Sequence, residues 1–140
     1  MERGEITDDV EQVVFTSMAA TGVISGIARG SNQTALAHKF YEATRYFFPE
    51  ETKPYLHGEI VGVGLLMQNH FNGEEENNEA LLHLMKTYNM PHCLEDIGVK
   101  KTEAVMRQYY EKLCASTAIE SEEEAERLVG TLRYIWELVQ

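Results

Sequence analysis

The chain has 140 residues, a length that suits one domain with a single hydrophobic core. Its composition, 44% hydrophobic and 25% charged, is ordinary for a folded globular protein and excludes an intrinsically disordered chain. The formal net charge of −11 at pH 7 repels phosphate groups and anionic lipids, so we expect neither nucleic-acid binding nor membrane binding.

The cysteines and the N-terminal residues bear on the cellular compartment. Cys93 and Cys114 form no CxxC pair, which predicts neither a disulfide framework nor a thiolate metal site. No run reaches the roughly 18 consecutive apolar residues of a membrane span, and residues 1–5 lack the order of a signal peptide. We therefore expect a cytoplasmic protein.

The first half of the chain predicts two helices. A threonine or aspartate among residues 7–9 can cap the first helix, and residues 13–28 are so largely apolar that we expect this helix to be buried on most sides. After a turn, Ser31 or Asn32 can cap a second helix over residues 33–47.

The second half predicts four more helices, and no segment alternates long enough to predict a strand. A third helix begins near His57 and is stopped by an Asn-Gly pair, residues 93–99 form a loop with a helical turn, and Ser121 with Glu124 reads as a capping box. The predicted helices are residues 57–71, 74–88, 101–115 and 121–139. The sequence therefore predicts an all-α bundle of about six helices in one domain, residues 1–140.

Two histidines occupy positions that could meet in such a bundle. His38 lies inside the second helix, and His57 opens the third after a loop bounded by Pro49 and Pro54. Two imidazoles brought together by paired helices can share a divalent metal ion. The residue types leave the ordinary core or surface role open for each histidine, and Glu59 can either hold an imidazole or stabilise the helix N-terminus.

The sequence around these histidines resembles the paired histidine motifs of glycerol dehydrogenases, in the iron-containing alcohol dehydrogenase superfamily. Residues 30–38, GSNQTALAH, resemble the first motif, and His57 to Gly64 match each fixed position of the second, His-Gly-Glu-x-Val-x-x-Gly. The sn-glycerol-1-phosphate dehydrogenases share these motifs, so the resemblance identifies the superfamily better than the substrate. It implies a helical fold like the dehydroquinate synthase-like C-terminal domain.

The resemblance also implies a metal centre and a nicotinamide cofactor. Family members hold zinc or iron with one aspartate and two histidines, and the ion activates an alcohol for hydride transfer to NAD. His38 and His57 match the two histidines, whereas Asp8 and Asp9 do not match the aspartate. Because no glycine-rich phosphate loop follows a strand, the N-terminal nucleotide-binding domain is expected to be absent, with NAD binding only if a separate half supplies it.

One position departs from the family pattern. Besides the two ligands, family members carry a further histidine three residues after the first ligand. In this sequence that position is Tyr41, which we take as the catalytic candidate. A tyrosine can donate a hydrogen bond but cannot relay protons near neutral pH as an imidazole does. This departure indicates either a different substrate or a lost catalytic constraint.

Three hypotheses follow. The chain is a truncated or split metal-binding domain of an NAD-linked glycerol or polyol dehydrogenase, inactive alone and with a weak zinc or iron site. Alternatively, it is a non-catalytic helical binding or assembly module derived from this family, or an unrelated bundle with a coincidental His-Gly-Glu. The first two predict a homo-oligomer or a complex with a separate nucleotide-binding half, which would cover exposed apolar surface.

Overall fold

The computed structural model describes residues 7–20 and 35–138. The chain divides into two compact units, residues 1–33 and residues 34–140. In the first unit, helix α1 (Asp8–Phe15) continues into a π-helical turn, Thr16–Ala20.

The second unit consists of helices. They are α2 (Leu36–Phe47), α3 (His57–Asn72), α4 (Glu76–Thr87), a 3-10 turn (Glu95–Ile97), α5 (Glu103–Cys114) and α6 (Glu122–Glu137). The described ranges contain no strand, which confirms the all-α prediction. Within these ranges, no helix combines the length and the apolar content needed to cross a membrane. The prediction of one domain over residues 1–140 stays a prediction.

The first helix differs from expectation in its burial. The Thr7 hydroxyl accepts a hydrogen bond from the Val10 amide at 3.4 Å, as predicted for a cap. None of the residues of α1 is buried, so the expected burial is wrong for the described part of this helix. An apolar pattern predicts a helix but does not specify what covers it. The exposed fractions are 64% for Val13, 71% for Phe15 and 74% for Met18.

The predicted caps Ser31 and Asn32 lie outside the described residues.

Helix α3 is the centre of the second unit, where it packs against α2, α4 and α6. It buries one side of nearly its whole length, and the left-handed Gly73 ends it, as the Asn-Gly pair predicted. Helices α2 and α6 cover α3 with large apolar side chains. The core side chains with no exposed surface include Phe40, Ile60, Val63, Leu66, Met67, Leu94, Ile97, Tyr109, Leu113, Leu128 and Ile135.

The predicted capping box at α6 is half formed. The Ser121 hydroxyl accepts from the Glu124 amide at 3.2 Å. The Glu124 carboxylate, however, accepts from the Glu120 amide at 2.7 Å, where a capping box would return the bond to Ser121 itself. The helix starts as predicted because one first-turn amide is satisfied by the cap residue in either arrangement.

A buried asparagine joins three helices of this unit. Asn78 on α4 is 3% exposed, and its amide nitrogen donates to the Leu66 carbonyl at 3.0 Å and to the Tyr134 hydroxyl at 2.9 Å. Its amide oxygen accepts from Asn69 at 2.8 Å. Because each bond reaches α3 or α6, the amide fixes the start of α4 against both helices.

We predict that Asn78→Leu lowers the free energy of unfolding by about 2 kcal/mol, because it leaves the part-buried Asn69 amide and Tyr134 hydroxyl without their partner. Urea denaturation measures the change. The neighbouring Asn77 is exposed, so Asn77→Leu should stay within about 0.5 kcal/mol of the parent. Equal losses from the two substitutions would contradict the assigned role of the Asn78 amide.

Candidate metal centre

Helices α2 and α3 touch backbone to backbone at Gly64. A Cβ atom at this position would lie 2.7 Å from the Ala37 carbonyl oxygen and 3.0 Å from the Ala37 Cα. Backbone atoms cannot yield as the end of a flexible side chain can, so only glycine permits this contact. Since His38 follows Ala37 directly, the contact also fixes the distance of His38 from α3.

A side chain of α3 completes the start of α2. Ala35 stands at the N-cap of α2 and offers no capping side chain. The Gln68 side-chain oxygen instead accepts from the Ala37 amide at 3.2 Å, satisfying one of the first-turn N–H groups that a helix leaves free. The turn that carries His38 is thereby held by α3 through both backbone contact and a hydrogen bond.

The structure brings His38 and His57 together. Their ring centroids are 5.4 Å apart, with the ring planes at 47°. Both side chains are exposed, and no ring nitrogen of either histidine is hydrogen-bonded to a residue in the described ranges. Two imidazoles bound to one tetrahedral zinc ion at ~2.0–2.1 Å have ring centres roughly 5 Å apart. The spacing of the two rings therefore fits two ligands of a single metal ion.

The donor set around this pair is partial. Within residues 7–20 and 35–138, no group of three or more histidine, cysteine, aspartate or glutamate side chains is arranged to hold a metal ion. The Glu59 carboxylate accepts from the Leu56 amide at 2.6 Å, so of its two interpretations the structure favours stabilisation of the α3 N-terminus. A catalytic zinc site normally uses three protein ligands, and the described residues bring two candidate ligands together.

The catalytic candidate Tyr41 lies beside this pair. Its ring meets the His57 ring edge-on, with the centroids 4.3 Å apart and the planes at 68°. All three residues singled out in the sequence thus lie in one cluster at the α2–α3 crossing. Their roles as ligands and as a hydrogen-bond donor stay predictions.

His70 and His92 have partners other than the paired histidines. His70 pairs with Glu75 at 3.3 Å and stacks on Tyr134, and His92 lies 3.2 Å from Asp96. Burial raises the pKa of the Cys93 thiol to about 11, which keeps it in the neutral form that binds metals poorly.

Sequence reasoning missed two residues that shape the cluster, Gln68 and Arg45. Gln68 lies four residues after Gly64, one helical turn along the same face, and Arg45 lies four residues after Tyr41. That spacing is a signal that a search around the motif residues could have used. The partners of both side chains, however, depend on how the helices cross.

We predict that Gly64→Ala destabilises the protein by about 1–3 kcal/mol, because the added methyl group forces α2 away from α3. Gly130 on α6 is the matched control, since a Cβ there meets nothing within 4 Å and alanine is the better helix former. Urea denaturation of both variants measures the difference. A Gly64→Ala protein as stable as the Gly130→Ala protein would refute the close crossing.

Comparison with known proteins gives one partial similarity. No family model matches the chain, and no solved structure matches it. The chain is 32% identical over 94 residues to the glycerol-1-phosphate dehydrogenase [NAD(P)+] of Aeropyrum pernix, an alignment that covers 67% of this chain and 26% of that enzyme. The chain thus spans about a quarter of the length of this relative. The similarity supports the superfamily indicated by the histidine motifs.

Proposed function

We propose that this chain is the helical metal-binding part of an NAD(P)-linked, metal-dependent dehydrogenase that oxidises glycerol, a related polyol or glycerol-1-phosphate. The observation that carries the proposal is the 5.4 Å separation of the His38 and His57 rings, the pair that the motif resemblance assigns as metal ligands. The partial similarity to the glycerol-1-phosphate dehydrogenase of Aeropyrum pernix supports the reaction class.

In this proposal His38 and His57 hold a zinc or iron ion through neutral ring nitrogens. When bound, such an ion polarises an alcohol oxygen and lowers the pKa of the hydroxyl group. Tyr41, in contact with His57, offers a phenolic hydroxyl where family members carry a further histidine that is not one of the two ligands. It can orient a substrate by donating a hydrogen bond, but it does not replace a histidine as a proton relay.

The proposal requires groups beyond the described residues. In this proposal the nucleotide-binding fold lies outside these 140 residues, and the third metal ligand, an aspartate in the family, comes from that part or from a second copy of the chain. Two imidazoles hold a metal ion more weakly than a full set of ligands, so we expect weak metal binding and no alcohol oxidation by these 140 residues alone.

We predict that the metal-stripped protein binds one Zn²⁺ per chain and that the double variant His38→Ala, His57→Ala loses this binding, because both ligands are removed. Isothermal titration calorimetry at fixed pH measures the stoichiometry and the affinity. His83 is exposed and remote in sequence from the pair, so His83→Ala serves as the control and should bind like the parent. Equal binding by the parent and the double variant, or no binding by either, would count against a metal centre here.

A second prediction concerns turnover. The chain alone should show no NAD(P)⁺-dependent oxidation of glycerol or glycerol-1-phosphate, whereas a complex with a separately expressed nucleotide-binding half should reduce NAD(P)⁺. The nucleotide-binding half of the Aeropyrum pernix relative is the first partner to supply. His57→Ala should abolish the restored activity, and absorbance at 340 nm reports it.

The alternative is a non-catalytic helical module that binds a partner or assembles with itself. The exposed apolar side chains of Phe15 on α1 and of Met18 on the π-helical turn favour it, because this segment gains stability when another surface covers it. A stable complex with the nucleotide-binding half that shows no turnover would support this module over the enzyme.

A further inference from the structure

The guanidinium group of Arg45 joins α2 to the segment that leads into α3. One terminal nitrogen donates to the Thr52 carbonyl at 2.8 Å, and the other donates to the Tyr55 carbonyl at 2.7 Å. Both carbonyls belong to residues 48–56, the connection between the two helices. Because the guanidinium is planar and rigid, two bonds from it fix the relative positions of both carbonyls.

The same side chain also reaches the histidine cluster through Tyr41. The Arg45 guanidinium carbon lies 5.6 Å from the centre of the Tyr41 ring, a cation–π distance, and Tyr41 lies against His57. Arg45 is therefore connected to His57 by two routes. One runs through the backbone at Tyr55, two residues before His57, and the other runs through the ring of Tyr41.

The position of the His57 imidazole depends on few contacts. Its side chain is exposed and forms no hydrogen bond within the described ranges, so ring contacts and the path of the preceding backbone decide where the imidazole lies. Within that path, the Thr52 hydroxyl donates to the Phe48 carbonyl at 2.5 Å, which closes a local turn. The Thr52 bond lies within the connection itself, whereas the Arg45 bonds tie the connection to α2.

We propose that Arg45 is a positioning residue that sets the distance between the His57 and His38 imidazoles and, through that distance, the metal affinity of the pair. The part of this proposal that concerns metal rests on the proposed function. The part that concerns the two rings does not. Lysine retains the charge but presents a single ammonium group, which cannot reproduce the planar fork to the two carbonyls.

The test compares Arg45→Gln and Arg45→Lys with the parent, using the full chain. Two quantities are measured: the nuclear Overhauser effect between the ring protons of His38 and His57, and Zn²⁺ affinity by calorimetry. Arg45→Gln should lose the ring-to-ring signal and bind Zn²⁺ about 10–100-fold more weakly, the range typical of residues that orient metal ligands. Arg45→Lys should recover part of both. Arg107 is exposed and far from the cluster in sequence, so Arg107→Gln is the control and should match the parent.

A purely structural role for Arg45 predicts a different result. Arg45→Gln would then be less stable in urea while its folded form kept the parent's ring signal and Zn²⁺ affinity, and that outcome would overturn the proposal. If Arg45→Gln fails to fold, Arg45→Lys decides, and parental values for both measurements in that variant would overturn the proposal equally. If the parent itself binds no Zn²⁺, the proposed function fails and the ring signal alone decides the role of Arg45.

Discussion

The candidate site depends on one steric constraint, the backbone contact between α2 and α3 at Gly64. The 2.7 Å that would separate a Cβ from the Ala37 carbonyl oxygen leaves no room for any larger residue. Because His38 follows Ala37 and His57 begins the partner helix, the contact determines how closely the two imidazoles can approach. Moving one helix outward by the width of a methyl group would separate the pair.

Polar bonds between helices then specify the register of this contact. Gln68 satisfies an amide at the start of α2, and Arg45 ties α2 to the connection that leads into α3. Farther along α3, the Leu66 carbonyl accepts a bond from Asn78 of α4, and Asn78 also donates to Tyr134 of α6. If a helix shifted along its neighbour, each of these side chains would lose a hydrogen-bond partner. The free-energy penalty for a wrong register is therefore large. Apolar packing alone tolerates such shifts more readily.

The sequence predicted the helices well because their signals are local. The end of α3 at Gly73 and the caps at Thr7 and Ser121 follow from residues at or next to each terminus. The pairing of His38 with His57 could be expected only through the family resemblance. The partners of Gln68 and Arg45 could not be predicted, because they are backbone groups on other elements. The prediction that α1 is buried was wrong for a related reason, since the apolar residues of a helix do not specify the surface that covers them.

The central claim is that His38 and His57 bind the same metal ion. X-ray absorption at the zinc K-edge of the Zn²⁺-loaded protein tests it directly, because multiple scattering from imidazole rings counts the histidine ligands. The account predicts two imidazoles per zinc, with nitrogen atoms at ~2.0–2.1 Å, and a first shell completed by oxygen. A spectrum with one imidazole or none, or one unchanged by His57→Ala, would contradict it.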